Sequence, residues 1–487
     1  MKEIKQEWFG NIKGDLLAGI VVCMALIPEA IGFAIVAGVD PMVGVYASFC
    51  MSLIISIFGG RTGMISAAAG AMALVLASLV KEHGIEYMLL ATILTGVFQV
   101  ILGFLKIGNL LKFIPRPVMI GFVNALGIMM FKSQLPYFKG SFILIILGAI
   151  GIAIIYLLPK LTRAVPSPIV AIIVVTLIVV IFKIDITTLG DMGKINSDLP
   201  SFLIPNIPFN METLKIILPY SISLSLVGLV ESLLTAQLID DLTDTTSNKN
   251  RECVGQGLAN VVCGLFGGIA GCGMIGQTLI NHNYGGRGRL STLTSGTAML
   301  ISVIVLNKFV VQIPVVALGA VMVVVSITTF NWGSIKRITK VPKTDTIVMI
   351  STVVVVLLTH NLAYGVLLGI VLSAIFFASK ISEIEVKKIK EDTKTIYLVN
   401  GQLFFASTLK FIGSFDFTEE IKFVDIDLSR VKIWDESAVD VIDKVVLKFH
   451  KNGVKVNLIG MSNQCLELVD RMAVYNKPGA LGVSGSH

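Results

Sequence analysis

Gly264-Leu265-Phe266-Gly267-Gly268-Ile269-Ala270-Gly271-Cys272-Gly273-Met274-Ile275-Gly276 sets six glycines in an uncharged run flanked by membrane-like segments. The run is apolar enough to reach bilayer depth, yet it should not stay one helix, because each interior glycine costs about 1 kcal/mol relative to alanine. Backbone freed from helical bonds survives at that depth only where protein or a water-filled cavity satisfies it. A broken helix in a membrane protein therefore points to a binding site. The plainer reading is close helix packing through small residues, as in the GxxxG spacing of Gly264 and Gly268. The two readings are compatible.

Composition sets the class around this run. The 487 residues are 54% hydrophobic and 15% charged, with a mean hydropathy of +0.85, which no soluble domain of this length would show. Charge is dense from Lys380 to His487 and confined to short clusters before it. That boundary separates a membrane body from a soluble appendage. The net charge of +7 needs no nucleic-acid partner, since basic residues facing the cytoplasm are what membrane topology demands. Cys23, Cys50, Cys253, Cys263, Cys272 and Cys465 lack paired spacing, which argues against disulfides and metal sites. The first apolar run contains Pro28 and Glu29 and is followed by further spans, so it reads as a span and not a cleavable signal peptide.

Apolar segments fall near 16–37, 42–58, 63–80, 87–105, 114–131, 141–158 and 165–182, then near 213–238, 252–266, 272–283, 290–307, 312–329, 344–359 and 362–379. Seven plus seven is an odd-numbered repeat, and two odd repeats in series take opposite orientations in the membrane. The expected fold is an α-helical polytopic membrane protein of 14 segments in a 7+7 inverted repeat, over about 14–190 and 205–379. The third segment of each half is the irregular one: Ser66-Ala67-Ala68-Ala69-Gly70-Ala71 in the first, the glycine run in the second. With the N-terminus inside, 17 basic residues, among them Lys13, Arg61, Lys112, Arg163, Lys249, Arg251, Arg287 and Arg289, face the cytoplasm. Only 7, including Lys81, Lys183 and Lys194, face outside. This bias predicts a multi-pass protein of the cytoplasmic (inner) membrane with both termini cytoplasmic.

After a 380–393 linker, residues 394–487 read as a small α/β domain. Thr395 to Val399 and Gln402 to Ala406 suggest strands around a Gly401 turn. Lys422 to Leu428 and Val454 to Ile459 suggest buried strands. Glu436 to His450 forms an amphipathic helix ended by Asn452-Gly453, and a helix from Asn463 to Met472 closes the unit.

Gly14-Asp15-Leu16-Leu17-Ala18-Gly19 with Ile27-Pro28, and Ala37-Gly38-Val39-Asp40-Pro41 with Gly44-Val45-Tyr46, resemble the first two spans of SulP anion permeases. Glu231-Ser232-Leu233-Leu234-Thr235, Asn248-Lys249-Asn250-Arg251-Glu252, Gly255-Gln256-Gly257-Leu258-Ala259-Asn260 and Gly264-Leu265-Phe266-Gly267-Gly268 resemble that family's second half. Asp427-Leu428-Ser429 and Asp435-Glu436-Ser437-Ala438 resemble the STAS domain, with Ala438 where a glycine is usual. The resemblance covers nearly the whole chain. It implies core and gate domains, a homodimer, and an anion held at the midplane between the two half-helix N-termini.

Two facing helix N-termini make an anion site without a fixed cation, since each presents unpaired N–H groups and about half a positive charge. Ala67, Ala68, Ala69 and Gly70 would let backbone approach the ligand, and Ser66 would add a hydroxyl. Gly273, Met274, Ile275 and Gly276 would approach from the other side, with Gln277 as a polar contact. Helix packing is the competing reading for each small residue. Met274, Ile275 and Ala69 stand where the sodium-coupled bicarbonate members carry Ala, Thr and Thr, which weakens a sodium site.

Glu29 and Glu231 lie inside spans, where a charged carboxylate costs about 2.5 to 3.5 kcal/mol. Glu231 stands where relatives carry Asp or Glu for cation coupling, against the alternative of a structural hydrogen bond, and Thr235 shares its helix face. Glu29 serves either the substrate site or a structural or gating role. Arg116, between Pro115 and Pro117, reads as an anchor at a span end, and His83, His282 and His360 as interfacial.

The resemblance thus implies a secondary active transporter of a small anion (sulfate, bicarbonate or a dicarboxylate) working by alternating access, and the intramembrane Glu231 points to coupling with protons. A sodium-coupled bicarbonate symporter or an anion exchanger is the nearest alternative. An anion sensor signalling through the STAS domain, where Ser437 matches the position phosphorylated in stand-alone STAS regulators, belongs to another class. A nucleobase permease shares the 7+7 plan but does not usually bring a STAS domain. No nucleophile–base set, metal-ligand cluster or phosphate loop suggests an enzyme, and no cofactor is implied.

Overall fold

The computed structural model describes residues 2–109, 114–162, 166–192, 198–208, 210–391, 394–418 and 421–475. Lys112, Arg163 and Lys194 of the charge argument, residues 392–393 of the expected linker and the end of the chain after 475 lie outside the described residues. Two compact units emerge, Met1–Ile370 and Val371–His487.

Each of the fourteen expected segments coincides with an element of the first unit or, for the last, with a helix that runs across the seam. In chain order, spans 1 to 7 are Ile12–Ala37, Pro41–Phe58, a strand Ser66–Ala68 (β1) leading into Gly70–His83, Ile85–Phe104, Arg116–Gln134, Phe142–Leu161 and Ser167–Ile181. Spans 8 to 14 are Met211–Thr243, Lys249–Leu265, a strand Gly271–Gly273 (β2) leading into Ile275–Asn283, Arg289–Val305, Val315–Thr329, Lys343–Thr359 and Leu362–Ile381. Among the described residues, eight helices are long and apolar enough to cross a membrane, and Ser167–Ile181 and Arg289–Val305 are shorter apolar helices. Spans 3 and 10 differ from the rest because both begin as extended chain.

β1 and β2 pair antiparallel, with Ser66 opposite Gly273, Ala67 opposite Cys272 and Ala68 opposite Gly271. Two strand-then-helix units in antiparallel register run in opposite directions, which is the relation expected of inverted repeats. Small residues bring the surrounding helices close. A Cβ at Gly257 of span 9 would sit 2.6 Å from the carbonyl oxygen of Gly96 in span 4, and a Cβ on Gly96 would likewise press on Gly257. Gly264 packs on Leu89 and Ile93 of span 4, and Gly268 on Ala47 of span 2. Gly264 and Gly268 are therefore packing residues, whereas Gly276 at the end of the run has no atom within 4 Å of where its Cβ would stand.

One end of this unit collects charge. Asp240 pairs with Arg61 at 3.1 Å and Lys249 at 2.6 Å. Arg289 donates to the carbonyls of Ser56 and Gly59 at 3.0 Å each and Arg251 to Phe58 O at 3.2 Å, so two cations cap the C-terminal end of span 2. Buried Asp15 accepts from the amides of Arg287 and Gly288 at 2.8 and 3.0 Å, and Glu7 pairs with Arg289 at 2.7 Å. Five of the basic residues assigned to one side by sequence, Arg61, Lys249, Arg251, Arg287 and Arg289, thus hold loop and helix-end groups of the unit, and Glu7 and Asp15 of the N-terminal segment bind two of them.

In the second unit four strands pair in the order Glu385–Lys390 (β3), Thr395–Leu403 (β4), Phe423–Ile433 (β5), Lys455–Ile459 (β6). β3 is antiparallel to β4, and the remaining pairs are parallel. The expected hairpin at Gly401 is replaced by one strand. A register shift between Leu398 and Asn400 lets β4 continue along β5, and Gly401 sits at φ +138° with Glu383 O only 3.0 Å from where a Cβ would be. The glycine serves strand approach, not a turn. The stretch expected as a linker contributes β3. Helix Glu436–Lys451 buries Val439, Ile442, Val446 and Phe449 on the sheet, and its N-cap Asp435 accepts from Ala438 N at 3.0 Å.

Candidate functional site

The two half-helices diverge from the β1–β2 pair, so their N-termini turn toward a common centre. Ala69 and Met274 occupy the N-cap positions in extended conformation, and neither terminus is capped by a side chain. The first-turn amides therefore lack intrahelical partners, and both positive dipole ends address one region.

Span 8 fastens the β2 side of this centre. Ser232 Oγ accepts from Gly273 N at 2.8 Å, Thr235 Oγ1 donates to Gly273 O at 3.4 Å and to Glu231 O at 2.8 Å, and Cys272 Sγ donates to Glu231 Oε2 at 3.1 Å. Glu231 is half-buried, while Thr235 and Cys272 are fully buried. Span 9 holds the rest through residues one turn apart. Asn260 brackets Gly271, accepting from its N–H at 2.8 Å and donating to its carbonyl at 3.1 Å. Gln256 donates to Ser66 Oγ at 2.7 Å and to Glu252 Oε1 at 2.8 Å, and Glu252 Oε2 accepts from Gly60 N at 2.7 Å. From span 2, Ser52 donates to Ser66 O at 3.1 Å and Ser48 accepts from Ala68 N at 3.2 Å.

The expected residues fall into two sets. Ser66, Ala67, Ala68 and Ala69 are at most 1% exposed, and the Ser66 hydroxyl is engaged by Gln256. Gly70 lies under Phe33 and Met130, where a Cβ would approach to 2.8 and 3.0 Å, and Gly273 lies against Met64 and Ser232. Met274 is buried and donates from its N–H to Ile65 O at 2.9 Å, and Ile275 is half-buried. Gly276 differs from all of these: it is exposed, and no atom lies within 4 Å of where its Cβ would stand. Beside it, Gln277 Nε2 donates to Glu29 Oε2, joining spans 10 and 1. Glu29, Gln277 and the open face at Gly276 thus form one group, and Glu231, Thr235, Cys272 and Gly273 another.

Glu252, Gln256, Asn260, Ser232 and Cys272 were not singled out by sequence. The signal for the first three is their i, i+4, i+8 spacing along span 9, which lines polar side chains on one helix face. All five stand inside stretches quoted above, Ser232 next to Glu231.

The sequence profile of the sulfate permease family matches residues 12–142 and 139–352, and that of the STAS domain matches 383–479. The chain belongs to the sulfate permease family. The protein named "Putative sulfate transporter YbaR" of Bacillus subtilis (strain 168) is 56% identical over 472 residues, covering 96% of this chain and 99% of its own. The solved transmembrane domain of a cyanobacterium bicarbonate transporter, BicA, is 27% identical with a TM-score of 0.66, over 75% of this chain and 98% of its own. Murine Slc26a9, solved as an anion transporter in the inward-facing state, shares the fold at 18% identity with a TM-score of 0.82, over 97% of this chain and 89% of its own. The expected family and polytopic fold with a C-terminal STAS domain are borne out.

Proposed function

We propose that this protein is a secondary active transporter that moves a small anion by alternating access, with proton movement coupled through Glu231. The observation that carries the reading is the antiparallel β1–β2 pair: it turns two uncapped helix N-termini toward one centre, beside an open face at Gly276. Backbone N–H groups of the two first turns bind the anion, and a side chain larger than glycine at 276 would intrude on it. Glu29 and Gln277, bonded to each other, border the site between spans 1 and 10. Ser66, Ala68, Ala69, Gly70, Gly273, Met274 and Ile275 supply the close-packed backbone that holds the amides in place.

Coupling rests on charge balance. An anion entering a low-dielectric centre beside an ionised Glu231 meets repulsion, and a proton on that carboxyl removes it. Proton and anion then cross together at lower electrostatic cost. The similarity to proteins named for sulfate and bicarbonate supports an oxyanion as cargo. In this reading the protein lies in the cytoplasmic membrane as a homodimer with both termini cytoplasmic. Residues 1–379 form the transporter, and the chain from β3 onward belongs to the regulatory STAS domain.

The test is uptake into liposomes of labelled sulfate, bicarbonate and a dicarboxylate at several pH values, with and without sodium. Uptake of one of these that rises as external pH falls and ignores sodium is expected. Uptake that needs sodium and ignores pH would replace proton coupling with a sodium symport.

A further inference from the structure

The described arginines of the membrane unit divide sharply by partner. Arg61, Arg251, Arg287 and Arg289 all commit their guanidinium groups to protein oxygens. Arg116 and Arg337 have no hydrogen bond or ion pair from their side chains among the described residues, and both line the same cleft of about 240 Å³.

This cleft lies between the N-terminal ends of spans 5 and 13 and the short helix Trp332–Arg337. Ile120, Val341 and Met349 give it apolar walls, and Asp345 also lines it. Two cations thus face one carboxylate, and Lys336 and Lys340 extend the positive surface in sequence. The same elements leave Trp332 56%, Ile335 52%, Ile347 48% and Ile350 47% exposed. Apolar side chains this exposed at the ends of membrane spans meet lipid, and tryptophan favours the headgroup level. A planar guanidinium pair suits phosphate oxygens, and the apolar walls suit the first carbons of an acyl chain.

We propose that this cleft is a binding site for the headgroup of an anionic phospholipid, with its phosphate on Arg116 and Arg337 and its chains along Ile120, Val341 and Met349. Its lining shares no residue with the proposed transport centre.

Native mass spectrometry of the purified full chain, loaded with phosphatidylglycerol or phosphatidylcholine, tests it. Phosphatidylglycerol should be retained in preference, and the double variant Arg116→Gln, Arg337→Gln should lower its retention by roughly tenfold or more and so abolish its preference over phosphatidylcholine. Asp345→Asn should raise retention, and it keeps the test open if the double variant does not fold. Inorganic phosphate at millimolar concentration should not displace the lipid. Equal retention of phosphatidylglycerol by wild type and variants would overturn the proposal. So would displacement by inorganic phosphate, or crosslinking that finds the cleft covered by a second copy of the chain.

Discussion

Cys272 donates its thiol hydrogen to Glu231 Oε2 across 3.1 Å, linking the middle of β2 to the acid of span 8. The flanking residues are fixed on both sides, Gly271 by Asn260 and Gly273 by Ser232, so Cys272 has little freedom to turn away. Cys272→Ala removes the donor, whereas Cys272→Ser keeps one. A hydrogen bond to an ionisable partner is worth about 1 kcal/mol or more, so proton-driven uptake by the alanine variant should fall roughly fivefold and be restored by serine. Equal uptake by both variants would detach Cys272 from Glu231's role.

Gly276 offers the cleanest probe of the proposed anion site. No atom lies within 4 Å of a Cβ there, so Gly276→Leu should fold normally and lose affinity by about tenfold or more, or about 1.4 kcal/mol. Ala68, Ala69 and Gly273 are poorer probes, because enlarging them presses on packed protein. Gly70→Leu would collide with Phe33 and Met130 and should lower stability by about 1 to 3 kcal/mol. Anion affinity measured by calorimetry beside melting temperature separates the two effects. An unaltered affinity in Gly276→Leu moves the site elsewhere.

Asn260 holds the turn into β2 by two bonds to a buried glycine. Asn260→Ala leaves both Gly271 groups unsatisfied and should destabilise the purified protein by about 2 to 4 kcal/mol. Thermal unfolding in detergent is the measurement, and an unchanged midpoint would show that Gly271 needs no clamp.

Hydropathy and glycine content made the fourteen segments and the broken spans legible, because membrane spanning and helix breaking are local properties of the chain. Glu231 was legible for a related reason, since an acid inside a span stands out against apolar neighbours. The partners of that acid were not. Cys272, Ser232 and Gln256 acquire their roles only when distant spans meet, and nothing in the immediate sequence of Cys272 says that its thiol will face span 8. Gly401 was misread because a glycine between two β-rich stretches suits a turn as well as a strand crowded by a neighbour, and only the pairing with β3 and β5 decides between them.

The STAS unit has its own core, built from Tyr397, Phe411, Ile442 and Phe449 with their neighbours. A fragment covering 383–475 should therefore unfold cooperatively by itself. Asp435→Ala would strip the helix cap at Ala438 and the acceptor of Phe405 N, at a cost of about 1 to 2 kcal/mol. Deleting the unit should change transport rate or assembly more than selectivity. A changed anion preference on deletion would mean that it contributes to the pathway.

Coupling makes the strictest demand on Glu231. If its proton offsets the anion's charge, Glu231→Gln, which keeps the size of the neutral acid, should still bind anion in the uncharged centre. It should lose accumulation driven by a pH gradient, because no group there can release the proton on the far side. Thr235 and Ser232 hold Gly273 from the same helix, so the variant leaves the β2 contacts of span 8 in place and a collapse of the site is not expected. Counterflow exchange of labelled anion at equal pH measures the retained step, and gradient-driven uptake measures the lost one. Loss of both together would assign Glu231 to holding the structure, and retention of both would assign coupling to another group, with Glu29 the next to substitute.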